Sequence, residues 1–237
     1  MRTEKGSRNL LRKKVPGTFF VAMWPKKRAR LRAIAAAVGD VRGRRSLEVS
    51  AGDPRVGEAL RARGGEWTRC RGAGQVLPED AFDAAVVCDI LEHVADDRAL
   101  LATAVRALRP GGRLVVAAPL RPTKALAAFA LVLGLTDADF GHVRPGYSIH
   151  ELRDLISAGG AAVDAQRVLG GGLDEVLELA AKAVAGHRAP GDRDWRGWRG
   201  WIARAAGAVV TALALLDRLP GMRVAATVVL CARKSDG

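Results

Sequence analysis

Short apolar runs alternate along this chain with segments whose apolar positions recur at helical spacing. The runs at 47–49, 67–70, 82–88, 113–118, 162–168 and 224–232 predict strands. Phe82-Asp-Ala-Ala-Val-Val-Cys88 is almost continuously apolar, as a strand covered on both faces is. Helical spacing predicts helices at 30–38, 54–63, 97–108 and 148–158. In the third of these, Leu100, Leu101, Ala104, Val105 and Leu108 fall on one face, and Arg109-Pro110-Gly111-Gly112 stops it. Gly64-Gly65 stops the second, and Ser148-Ile-His-Glu151 is a capping box that opens the fourth, ahead of Gly159-Gly160. Further on, 173–184 reads as a helix, 187–194 as a polar loop holding Pro190 and Gly191, and 195–219 as helical with breaks. Strands alternating with helices at this spacing imply right-handed crossovers and a mainly parallel sheet.

Charge divides the chain unevenly. Residues 1–45 hold 14 Lys/Arg against Glu4 and Asp40, a balance of +12, out of +13 for all 237 residues. The remainder is near neutral. Residues 1–30 therefore read as a basic arm carrying Phe19, Phe20 and Trp24, suited to an anionic lipid, nucleic acid or ribosome surface, or simply to water. Residues 31–237 read as one domain. Cys70, Cys88 and Cys231 show no paired spacing, so neither a zinc site nor a disulfide framework is expected, and the reduced cytoplasm is the default setting. The apolar segment 15–24 is too short to span a bilayer and lacks a persuasive cleavage site.

The stretch Ser46-Leu-Glu-Val-Ser-Ala-Gly-Asp-Pro54 carries the first chemical signal. A strand ends in a glycine-bearing turn, with Asp53 a good N-cap and Pro54 a good first residue for the helix. Such a turn brings backbone N–H groups and a carboxylate to the carboxyl end of a sheet, where open α/β sheets bind nucleosides. A second signal is Phe82–Cys88 followed by Asp89-Ile-Leu-Glu-His-Val94, a helix, and Leu108-Arg-Pro-Gly-Gly-Arg-Leu-Val-Val-Ala-Ala-Pro119. A third is Phe140-Gly-His-Val-Arg-Pro-Gly-Tyr-Ser148 before the capped helix.

Together these segments resemble the class I S-adenosylmethionine-dependent methyltransferases, the small-molecule branch in particular, over roughly residues 45–170 and the final strand. The resemblance implies a Rossmann-like, doubly wound, mainly parallel α/β sheet with an antiparallel last strand. To it are added the basic N-terminal arm, a substrate-covering insertion at 123–147 and a helical insertion at 172–221. It implies S-adenosyl-L-methionine as cofactor, held by Glu48, Ser50, Ala51, Gly52, Asp53, Gln75, Asp89, Ile90 and Glu92. His93, His142 and Tyr147 become the candidate catalytic residues, and no metal is expected. His93 is a candidate general base or else opens a loop–helix junction. His142 and Tyr147, either side of Arg144, bind substrate or hold their loop.

This chain departs from the family pattern in four respects. Ser50, Gly52 and Pro54 stand where the family has three glycines. No acid ends the second strand, Trp67-Thr-Arg-Cys-Arg71, and none precedes Leu77-Pro78, where Gln75 stands. The span from Glu48 to Asp83 is short for a full helix and strand. The expected activity is methyl transfer to a small or lipid-like acceptor, with the arm on an anionic membrane surface. The alternatives are a non-catalytic binding protein that kept the fold, and, less favoured, an RNA-associated enzyme guided by the arm. Residues 124–135 are apolar and suit a lid over an apolar acceptor or a core helix. Trp195, Trp198 and Trp201, interleaved with arginines, suit a membrane interface or packing on the sheet.

Overall fold

The computed structural model describes residues 24–51, 54–70, 75–123, 141–169 and 227–235, with single positions at 127, 130, 136 and 137. Among these residues eleven regular segments run in chain order: helix α1 (Trp24–Val38), β1 (Arg45–Ser50), α2 (Pro54–Arg61), β2 (Glu66–Cys70), β3 (Phe82–Cys88), a 3-10 turn (Leu91–His93), α3 (Asp97–Ala107), β4 (Leu108–Pro119), α4 (Ile149–Ala158), β5 (Ala161–Leu169) and β6 (Thr227–Lys234). The six strands form one sheet in the order β2-β1-β3-β4-β6-β5. β2, β1, β3 and β4 run parallel, and β6 lies antiparallel between β4 and β5. The mainly parallel sheet is what the alternation of strands and helices implies, and the antiparallel last strand is what the family resemblance implies. The segments predicted at 173–184 and 195–219, and most of 124–135, lie outside the described residues.

Strand parity sorts the core into two layers. Leu47, Val49, Ala85, Val87, Leu114 and Val116 project to one face, where Leu100, Leu101, Leu152 and Ile156 of α3 and α4 cover them. Ala84, Val86, Cys88, Val115 and Ala117 project to the other, under Ile34 and Val38 of α1 and Val56 and Leu60 of α2. Burying one leucine- or valine-sized side chain stabilises by about 1.5–3 kcal/mol, so the two layers hold the sheet from both sides.

Two boundaries differ from the sequence reading. Helix α1 starts at Trp24, so residues 24–30, read as arm, are helical. β4 starts at Leu108, inside the stretch read as a helix stop. Pairing passes from Phe82↔Leu108 to Ala84↔Arg113, so Arg109–Gly112 forms a bulge rather than a break. Asp89 follows the third strand of the sheet, as the order of the predicted strands has it, and the span before that strand is short. Only residues 71–74 separate Cys70 from Gln75, too few for a crossover helix and another strand. β2 is therefore an edge strand.

The capping box at Ser148 forms as expected. Ser148 Oγ accepts from the Glu151 N–H at 3.1 Å, and Glu151 Oε2 accepts from the Ser148 N–H at 2.7 Å. That backbone N–H, helped by Arg121 at 2.8 Å, holds the Glu151 carboxyl down at about 2. A carboxyl depressed by folding stabilises above its unfolded value and loses that contribution as pH falls. Fraying of α4 is therefore expected between about pH 4.5 and 2. Ser148→Ala should lower stability by about 1 kcal/mol at neutral pH, read by urea unfolding.

Candidate functional site

The chain crosses from one side of β1 to the other at the carboxyl tips of β1 and β3, with Ser50 opposite Cys88. α2 returns the chain to β2 on one side of β1, while β3 and β4 extend the sheet on the other. This is the topological switch point at which open α/β sheets take their ligands. Ala51, just past the β1 tip, is small and exposed. Gly52 and Asp53 lie outside the described residues.

Glu48 and Ser50 share the face of β1 that α2 covers. Glu48 is 1% exposed. Its Oε1 accepts from Ser50 Oγ at 2.8 Å, and its Oε2 sits 3.1 Å from Nε of Arg69, its register partner on β2. Gly57 of α2 closes over the pair, and a Cβ there would lie 2.7 Å from Glu48 Oε2. The carboxylate named as a cofactor ligand is thus engaged beneath the helix. Gln75 is exposed ahead of β3, and Ile90 packs in the core beside Leu91.

Asp89 occupies the β3 tip with φ +45°, a left-handed conformation that Asp tolerates better than most residues. Its carboxylate pairs with Arg30 of α1, and the Cys88 thiol points at it from 3.6 Å. Both partners keep about a quarter of their side-chain surface exposed. At its other end α1 is fixed by Arg113, whose Nη1 donates to the Ala37 carbonyl at 2.8 Å. α1 therefore runs from the strand tips toward their base. Trp24, six residues before Arg30, extends about 9 Å along the axis in the direction of the tips.

Glu92, His93 and His142 meet beside Asp89. The loop at 141–147 docks on the 3-10 turn through two backbone contacts: the Val143 N–H donates to the Glu92 carbonyl at 2.8 Å, and His93 Nδ1 bonds the Gly141 carbonyl at 2.8 Å. A carbonyl only accepts, so His93 Nδ1 carries the proton and neutral His93 keeps a lone pair on Nε2. The His142 ring stands edge-on to His93, 4.9 Å between centroids. Glu92 is 2% exposed, and its Oε2 is buried without a hydrogen-bond partner. Burial pushes its carboxyl above the usual carboxylate range, against the pull of His93, Arg30 and Arg144.

Tyr147 has a different position. Its hydroxyl donates to Asp97 Oδ2 at 2.7 Å. Burial and that bond push the phenol far above its ordinary range. Arg144 pairs with the same carboxylate and donates to the carbonyls of Val94 and Ala95 at 2.7 and 2.9 Å. Gly146, φ +98°, lets the strand-like contact between Tyr147 and Leu120 close, since a Cβ there would lie 3.0 Å from the Pro119 carbonyl. Here Tyr147 holds the loop. Sequence reasoning missed Arg30 and Asp97, because a pair formed across the fold leaves no local spacing to read.

The tips fit an adenosyl sulfonium in part. Small residues and an acid stand at the switch point. The edge strand β2, however, ends in Arg69-Cys70 and presents no acid for ribose hydroxyls. Ala51 and Asp89, with the backbone of Ser50, are the described residues that would hold the group, which would supply an already activated methyl.

Residues 48–116 match the family model described as a methyltransferase domain. No curated protein matches the chain. Among solved structures, the [4+2]-cyclase SpnF superposes with TM-score 0.55 at 17% identity, over 88% of this chain and 81% of that one. The YcgJ protein of Bacillus subtilis gives 0.56 at 13%, over 89% and 100%. Phosphoethanolamine N-methyltransferase 2 of Haemonchus contortus, in complex with phosphomonomethylethanolamine and S-adenosylhomocysteine, gives 0.53 at 12%, over 88% and 53%. At these identities the structural likeness speaks for the fold alone, the one shared with class I S-adenosylmethionine-dependent methyltransferases, and the family match speaks for a methyltransferase domain over residues 48–116, with S-adenosylmethionine as the cofactor it supports.

Proposed function

We propose that this chain methylates a small or lipid-like acceptor held over the Asp89–His93 rim, and that the basic arm brings it to an anionic surface where that acceptor is met. The observation that carries the reading is the gathering of Asp89, Glu92, His93 and His142 at the switch point, with Glu92 and His93 fixed by the docked 141–147 loop that carries His142. Cofactor contacts fall to the backbone of the 50–53 turn, to Asp89 and to Gln75. The acceptor side falls to His93 and His142. An acceptor hydroxyl or amine placed against His93 can pass its proton to Nε2 as it takes the methyl, and positioning supplies most of the rate.

The orientation of α1 supports the surface contact. Residues 1–29 hold nine Lys/Arg and one acid, Glu4. They join the fold at the end of α1 that lies toward the strand tips, so a surface that binds the arm lies beside the rim. Each basic residue near an anionic bilayer contributes about 1 kcal/mol at low salt.

Calorimetric titration of the full chain with S-adenosylmethionine and S-adenosylhomocysteine tests the enzyme reading, and saturable heat is expected for both. No heat at roughly millimolar ligand (a Kd weaker than about −4 kcal/mol of binding) would favour the second reading, a non-catalytic binding protein. One observation already leans that way: the acid missing from the end of β2. Removal of residues 1–23 should lower partitioning onto phosphatidylserine vesicles at least 100-fold and leave cofactor affinity unchanged. Equal partitioning would end the surface proposal.

A further inference from the structure

We infer that Glu92, His93 and His142 form a binding site for a divalent transition-metal cation at the acceptor side of the rim. Each residue offers one ligand atom, and these atoms all lie within 4.8 Å of one another. The donor set of two imidazoles and one carboxylate suits Zn2+, Fe2+ or Co2+ and leaves further positions open. Bonds of about 2.1 Å in a tetrahedral arrangement bring ligand atoms to about 3.4 Å apart, so closure requires shifts on the order of 1 Å.

Three features distinguish this cluster from a chance meeting of polar groups. Glu92 Oε2 is buried with no hydrogen-bond partner, although its neighbours could have been apolar. A buried carboxylate oxygen left in that state is costly, and a cation would remove the cost. His93 donates Nδ1–H to the Gly141 carbonyl at 2.8 Å, the bond by which proteins orient a metal-binding imidazole and aim its other nitrogen. That nitrogen lies 3.9 Å from Glu92 Oε1. The cations nearby are already engaged: Arg144 by Asp97 and two carbonyls, Arg30 by Asp89.

The His93 side chain is 30% exposed, so the open coordination positions reach solvent at the rim. An oxygen-bearing acceptor fits them. This last step rests on the methyl-transfer reading, while cation binding does not. A cation and a proton compete for His93 Nε2, so His93 serves as the proton acceptor only in the cation-free protein.

The experiment uses the full chain, stripped with a chelator and titrated with Co2+ by ligand-field absorption and with Zn2+ by calorimetry. One equivalent of each is expected. His93→Gln and His142→Gln should each weaken Co2+ binding roughly 100-fold, and Glu92→Gln by at least tenfold. His150→Gln, a surface histidine paired with Asp154, should change nothing. Side-chain nitrogen spectra of the unsubstituted chain give the same answer without relying on a variant that folds: Zn2+ should move two of the four histidines. The site is overturned by no uptake at roughly millimolar cation, by uptake unchanged in the two His variants, or by shifts confined to other histidines. A parallel titration with S-adenosylmethionine separates the two readings. Cofactor heat without cation uptake overturns only the metal site, and cation uptake without cofactor heat overturns only the methyltransferase.

Discussion

Arg69→Ala is expected to lower the unfolding free energy by about 3 kcal/mol, because it strands a carboxylate that water does not reach. Glu48 is 1% exposed on β1, directly beside Arg69 on β2. The two approach to 3.1 Å, yet Arg69 Nε and Nη2 and Glu48 Oε2 are buried without a hydrogen bond. The pair thus has its Coulomb attraction and little else to offset desolvation. Removing one member leaves Glu48 only the Ser50 hydroxyl at 2.8 Å. For a chain of this length the loss corresponds to a fall in melting temperature on the order of 6–12 °C. Removing both members should be far milder. Glu48→Gln with Arg69→Met replaces the charges by a neutral amide and a flexible apolar chain of similar length, within about 1 kcal/mol of the parent. Urea unfolding of the two singles and the double closes the cycle. A single substitution as mild as the double would show that Glu48 is hydrated and that the pair holds nothing.

The same pair marks the limit of what the sequence discloses. Leu47 and Val49 alternate with Ser46, Glu48 and Ser50, a pattern that ordinarily puts the polar side of a strand in water. Here α2 covers that side, so Ser46, Glu48 and Ser50 are all buried. Parity told which face Glu48 takes, but not that the face would be roofed. Strands β3 and β4 and helices α3 and α4 were legible because their apolar periods and stops are local properties. The Ser148 capping box is legible for the same reason. The missing strand was legible as arithmetic, in the short span between Glu48 and Asp83. The bulge at Arg109–Gly112 was not, since Pro and Gly signal a helix end and a bulge with the same letters. The rim was half legible. Asp89, Glu92 and His93 announce themselves by following a buried strand. Arg30, which faces Asp89 from 59 positions upstream, and Asp97, which gathers Arg144 and Tyr147 from about 50 positions downstream, are products of topology.

Asp89→Asn is expected to leave the fold intact and weaken S-adenosylmethionine binding roughly 10- to 100-fold. The backbone argument comes first. At φ +45° most side chains are strained by about 1–2 kcal/mol, whereas Asn tolerates this conformation as Asp does. Asn also keeps an oxygen for Arg30, so α1 stays attached to the β3 tip. What the substitution removes is charge. A hydrogen bond to an ionised acceptor contributes about 1.5–3 kcal/mol, more than its neutral counterpart. Asp89 also has an unusual share of that work here, because β2 ends in Arg69-Cys70 and Glu48 is committed to Arg69. Among the described residues no acid of β1 or β2 is left to share the ligand, so under the proposed function Asp89 is expected to carry the larger part of the polar recognition. Calorimetry on parent and variant, with melting temperatures compared in the same buffer, gives the answer. Undiminished affinity at unchanged stability would mean that the nucleoside rests elsewhere and that Asp89 serves only to anchor α1.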